Sequence, residues 1–77
     1  MKVIKRVRKT ELITGQYILF QEKHGFTLMG LVEERGVEIV DADETTAKVE
    51  LKNIWKQGNS LLYPFTVIPN TVTLVEL

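Results

Sequence analysis

Apolar and polar positions alternate along most of this chain in short runs. From Gln16 to Glu44 they read QYILFQE, KHG, FTLMGLVE, ERG and VEIVDADE. Three runs rich in Ile, Val, Phe, Tyr and Leu are separated by two glycine-containing turns, the pattern of a meander of short strands. Ile18 and Phe20 share one face of the first strand, with Tyr17 and Leu19 on the other. Phe26, Leu28, Gly30 and Val32 share a face of the second, and Gly30 marks its sharpest bend. Lys23-His24-Gly25 is a hairpin turn, with Gly25 free to take positive φ. Glu33-Glu34-Arg35-Gly36 is the next turn, before a short strand of Val37, Ile39 and Val40. Thr45 to Lys52 alternates, with Ala47, Val49 and Leu51 inward. Leu61 to Ile68 is interrupted by Pro64, which confines it to an edge or a bulge. Pro69-Asn70 turns the chain into a last strand, Thr71 to Leu77. Met1 to Thr10 fits a strand through Val3, Lys5 and Val7, or one helical face, and the β-branched content favours the strand. The expected fold is all-β: one domain over residues 1–77, a small five-stranded SH3-like or Sm-like barrel with a short N-terminal extension.

Size sharpens that expectation. A chain of 77 residues buries only about 60% of its unfolded surface, so its stability is expected to be marginal. It has no cysteine to form a disulfide or a thiolate metal site. The remaining way to hide apolar surface or a strand edge is association with another copy. No apolar run approaches the roughly 18 residues that span a bilayer, and no apolar segment follows the basic N-terminus as in a signal peptide. A cytoplasmic protein with no membrane partner is the expectation.

Charge adds a polarity that the net value of zero hides. Lys2, Lys5, Arg6, Arg8 and Lys9 are half of the ten basic residues, with no acid among them. The rest of the chain holds five basic residues against ten acidic ones. Such an arm can contact phosphate, with binding that weakens as salt rises, or an acidic protein face.

Little else carries chemistry. His24, the only histidine, reads as an exposed turn residue without an orienting partner. Asp41, Asp43 and Glu44 lack the spacing and glycine of a calcium loop and read as a solvated strand end. Trp55, Tyr63 and Phe65 cluster near Pro64; they either plug the core or an interface, or stack on bases or a proline-rich peptide. No phosphate loop, metal cluster or nucleophile triad occurs, so neither an enzyme nor a cofactor is expected.

The order of these features resembles the Sm-like (LSm) family, over about Leu12 to Leu77. Its first motif has a strand, a Lys-x-Gly-type turn, a strand with a central glycine, and a third strand ending in acids. Lys23-His24-Gly25, Gly30 and Asp41-Ala42-Asp43-Glu44 fall in that order. Val67-Ile68-Pro69-Asn70-Thr71-Val72 stands where the tight turn of the second motif belongs. The Asp-x-x-Met-Asn signature for RNA is absent near Glu34 to Val40, and Ile68-Pro69 replaces Arg-Gly. Only Asn70 keeps a matching type, so the uridine pocket is not carried over. In these respects the chain is similar to divergent phage-type members.

The resemblance implies a barrel that assembles into a homo-oligomeric ring through its last strand, with Thr71, Thr73, Val75 and Leu77 at the interface. Two functions follow. One is an RNA-binding module using Lys2, Lys5, Arg6, Arg8, Lys9, Trp55 and Asn70. The other is a structural or protein-interaction subunit with no nucleic-acid role, favoured by the acidic body and the missing signature.

Overall fold

The structure, a computed structural model, describes residues 1–42 and 62–77. Six strands occur among them: β1 (Lys2–Arg8), β2 (Tyr17–Gln21), β3 (Thr27–Glu33), β4 (Gly36–Ala42), β5 (Leu62–Tyr63) and β6 (Thr71–Glu76). They form one antiparallel sheet in the order β1-β6-β2-β3-β4-β5. The alternating stretch Thr45 to Lys52, the acids Asp43 and Glu44, and Trp55 lie outside the described residues.

The all-β class and the central meander match the hydrophobic pattern. The five-stranded closed barrel does not. There are six strands, and among the described residues no ladder joins β1 to β5. The difference arises at the N-terminus, where the arm is a full sheet member and adopts the strand that its β-branched residues favour. In the segment Leu61 to Ile68 the edge position agrees with the pattern, and the strand is shorter than the apolar run. Among the described residues, pairing with β4 covers Leu62 and Tyr63, and after Pro64 the chain makes a 3-10 turn, Phe65–Val67. Proline has no N–H to give a ladder, so the strand stops there.

The core lies on one face of the sheet. Ile18 and Phe20 of β2, Leu28 and Val32 of β3, Val37 of β4, Tyr63 of β5, and Val72 and Leu74 of β6 meet Ile68 from the last turn. Leu12, Phe26, Ile39 and Phe65 pack against them. Gly30 shows why the sheet can curl over so small a core. A side chain there would run into the Val37 side chain. The β3–β4 register also shifts beside it, between Met29 and Gly30, which leaves Val40 as the extra residue. A bulge with a glycine next to it bends and twists a sheet.

The β2–β3 hairpin has a three-residue loop in which Gly25 takes φ +92°. Glu22 and Phe26 frame it, the Glu22 N–H donating to the Phe26 carbonyl at 2.9 Å. The Glu22 side chain then turns inward, and the residue is only 5% exposed. Its Oε1 accepts from the His24 N–H at 2.5 Å and the Phe26 N–H at 3.2 Å. This carboxylate braces the turn from inside, a buried charge held by hydrogen bonds.

Candidate functional site

The expected interface strand is placed differently from the sequence reading. β6 is not a free edge: it pairs with β1 from Lys2↔Glu76 to Arg8↔Thr71, and with β2 from Tyr17↔Val75 to Leu19↔Thr73. The correction has a plain cause. The N-terminal arm supplies the missing neighbour, so the ring-forming role of an unpaired last strand loses its geometric basis. Thr71 and Thr73 accept hydrogen bonds from Arg6, Val75 is 3% exposed, and Leu77 is exposed beyond the strand end.

Among the described residues, the free edge on this side belongs to β1. It is bulged at Ile4, since Val3 faces Val75 and Lys5 faces Leu74. Val7 alone packs against the core. Val3 and Ile4 are exposed, at 61% and 48%.

The five cations of the arm do not form one patch. The Arg6 guanidinium lies over β6, donating to Thr71 Oγ1 at 2.7 Å and to Thr73 Oγ1 at 3.5 Å. Arg8 pairs with Glu11 at 3.1 Å, and that side-chain hydrogen bond holds the Glu11 carboxyl below its ordinary pKa. The Lys9 ammonium donates to the Phe65 and Ile68 carbonyls, at 3.2 and 3.3 Å, and fixes the 3-10 turn before β6. Its main-chain N–H donates to the Asn70 carbonyl at 2.8 Å. Lys2 sits opposite Glu76 in register. The side chains of Lys2 and Lys5 make no hydrogen bond or ion pair among the described residues.

Of the three clustered aromatics, the two that the structure describes, Tyr63 and Phe65, are drawn into or against the core. Tyr63 is buried, with its ring centroid 6.0 Å from that of Phe20. Burial pushes its phenol above the ordinary pKa, and the charge of Glu22 adds to the effect. Phe65 is half-buried against the same cluster.

Two features were missed from the sequence. His24 does have an orienting partner: its Nδ1 lies 2.8 Å from Glu22 Oε2. An i,i+2 spacing across a turn gives no periodic signal, so only the inward rotation of Glu22 reveals the pair. The second feature is a cavity of about 330 Å³ between the ends of β2 and β6, which Phe20 and Pro69 also reach. Leu19, Gln21, Thr27, Thr71, Thr73 and Arg6 line it. It lies where β2 and β6 part, beyond the last rung of their ladder, and a lost rung leaves no mark in a hydrophobic pattern.

Among the described residues, no group of three or more His, Asp or Glu side chains could hold a metal ion. No described helix is long and apolar enough to cross a membrane. No protein-family model matches the chain, and neither a curated protein nor a solved structure is significantly similar to it.

Proposed function

We propose that this chain is a non-catalytic binding module of the small-barrel kind, and that its partner is an acidic protein segment that adds a strand to β1. The observation that carries this reading is the edge itself. Among the described residues β1 is paired on one side only, and its sequence KVIKRVR holds four cations and no acid. Val7 pairs with Val72 in β6, and the Lys9 N–H also turns toward β6. By alternation, the Arg6 N–H and C=O and the Arg8 C=O are directed to the open side, while the Arg8 N–H serves the Glu11 carboxyl. An added strand would gain those hydrogen bonds and the exposed apolar surface of Val3 and Ile4. Like charges directly opposite one another are unfavourable, so a second copy of β1 fits this edge poorly and an acidic strand fits it well. Support for the barrel reading comes from the order β6-β2-β3-β4-β5, with a 3-10 turn between the last two strands in sequence.

A second reading is RNA binding by the arm. It is favoured by the Lys2 and Lys5 side chains, which make no hydrogen bond or ion pair among the described residues. It is weakened by Arg8 and Lys9, which are occupied within the fold.

Fluorescence anisotropy separates the two. The probes are a labelled peptide of alternating Glu and Val, its Lys counterpart, and a uridine-rich oligonucleotide, each at low and high salt. The acidic peptide is expected to bind and the basic one not. Arg8→Pro should weaken that binding by removing an edge cation, at a φ of −78° that proline accepts. Oligonucleotide binding with a steep salt dependence, and no peptide binding, would replace this reading with the RNA one. If neither probe binds, both readings fail.

A further inference from the structure

The seam between β2 and β6 is incomplete in a specific way. The Glu22 N–H donates to the Phe26 carbonyl and the Val32 N–H to the Gln16 carbonyl, so even-numbered residues of β2 face β3. Odd-numbered ones therefore face β6. The Asn70 carbonyl accepts from Lys9, so even-numbered residues of β6 face β1 and odd-numbered ones face β2. Tyr17 opposes Val75 and Leu19 opposes Thr73 in that ladder. The next rung would join Gln21 to Thr71, and it is not made: the register ends at Leu19↔Thr73. Each of these residues therefore turns a main-chain N–H and C=O into the gap, without a strand partner among the described residues.

The cavity occupies this gap. Around the two open main-chain positions stand the hydroxyls of Thr27, Thr71 and Thr73 and the Gln21 amide. The Arg6 guanidinium closes one side, and among the described residues no acidic side chain lines the cavity. Among the described residues Arg6 is held by the neutral hydroxyls of Thr71 and Thr73 alone. An anionic oxygen is a stronger acceptor for guanidinium than a hydroxyl is, and it would also accept from the open N–H groups. Cavities of about 300 Å³ are at the small end of ligand sites.

We propose that this seam is a binding site for a small molecule carrying one oxyanion, a carboxylate or a phosphate. The oxyanion sits on Arg6 and the main-chain N–H groups of Gln21 and Thr71, and the threonine hydroxyls bind the polar remainder. The site is independent of strand addition at β1, because it uses the side chain of Arg6 and the far side of β6. Failure of either proposal leaves the other standing.

The test is a titration of the ¹⁵N-labelled full chain with inorganic phosphate and, separately, with acetate, followed by amide chemical shifts at constant ionic strength. Saturable shifts are expected at Gln21, Thr71 and Thr73 and at the Arg6 Nε. The anion with the lower dissociation constant identifies the headgroup. Arg6→Gln should weaken binding about tenfold, and Lys5→Gln should leave it unchanged. Thr71→Val combined with Thr73→Val should weaken it without removing the Arg6 charge. The spectra themselves show whether each variant is folded. Shifts that rise linearly without saturation, that spread equally to Lys2 and Lys5, or that persist undiminished in Arg6→Gln would overturn the site.

Discussion

The two flanks of β6 are unequal. On one flank β1 follows it over almost its whole length, from Glu76 to Thr71, interrupted only by the bulge at Ile4. On the other flank β2 holds it for three rungs and then departs. Burial runs the opposite way. β2 contributes Ile18 and Phe20 to the core, whereas β1 is exposed at every position but Val7. The outer flank is thus secured by main-chain hydrogen bonds and the inner flank by packing. A strand held chiefly by its ladder is separable from the fold, and a strand that carries the core is not.

Removing the outer flank should therefore have the largest effect of any change made outside the core. A chain lacking residues 1–8 keeps the meander but uncovers β6 along its length, with Val75 beside the new edge. An uncovered apolar edge invites pairing with another chain. The expected outcome is self-association of the truncated chain by light scattering, while the full chain stays a monomer. A truncated chain that stays folded and monomeric would show that β1 guards nothing.

The next effect compares the devices that steady each flank. Lys9 secures the outer one through two carbonyls, and Glu22 braces the end of β2 beyond the seam through two N–H groups. Glu22 is buried, so Glu22→Ala strands those donors and should cost about 2 kcal/mol. Lys9→Met keeps the aliphatic stem, and its ammonium is only partly buried, so it should cost about 1 kcal/mol. Urea denaturation measures both. A Lys9→Met loss as large as that of Glu22→Ala would reverse the ranking of the flanks. His24→Ala is the control on the inner side. It removes the half-exposed imidazole contact but leaves both N–H donors to Glu22, so its effect should be smaller than that of Glu22→Ala.

These same residues mark how far the sequence could be read. The alternation at Ile18 and Phe20, the turn at Gly25 and the bend at Gly30 were legible, because burial on one face and the steric demands of a turn both act locally. So was the break at Pro64, for want of an N–H. The placement of the arm was legible as a strand but not as the neighbour of β6, since charge alternation does not say which edge a strand will cover. That one pairing removed the free edge on which the ring depended. Tyr63 and Phe65 were left open between core and ligand, and packing against Phe20 and its neighbours decided for the core. Lys9 looked like any other basic residue. Its role in fixing the 3-10 turn depends on residues more than fifty positions away. The seam is a matter of two strands diverging after a shared segment, which no single-strand pattern encodes.

The smallest expected effect lies at the corner where β1 ends. Arg8 donates to Glu11 Oε1 from both Nε and Nη2. This keeps the Glu11 carboxyl below its ordinary value of 4.5, chiefly through the side-chain hydrogen bond. A carboxyl whose pKa is lowered by folding stabilises the fold above its unfolded value, and the contribution is lost as pH falls through the lowered folded value. Both side chains are well exposed, so the contribution is small and salt weakens it further. Arg8→Ala should return the Glu11 titration toward 4.5, measured by carboxyl NMR shifts. It should barely change the urea midpoint at neutral pH, and the variant and parent should become equal in stability in acid. A large loss at neutral pH would mean that this corner anchors β1, a role that the geometry gives to Lys9 and the ladder instead.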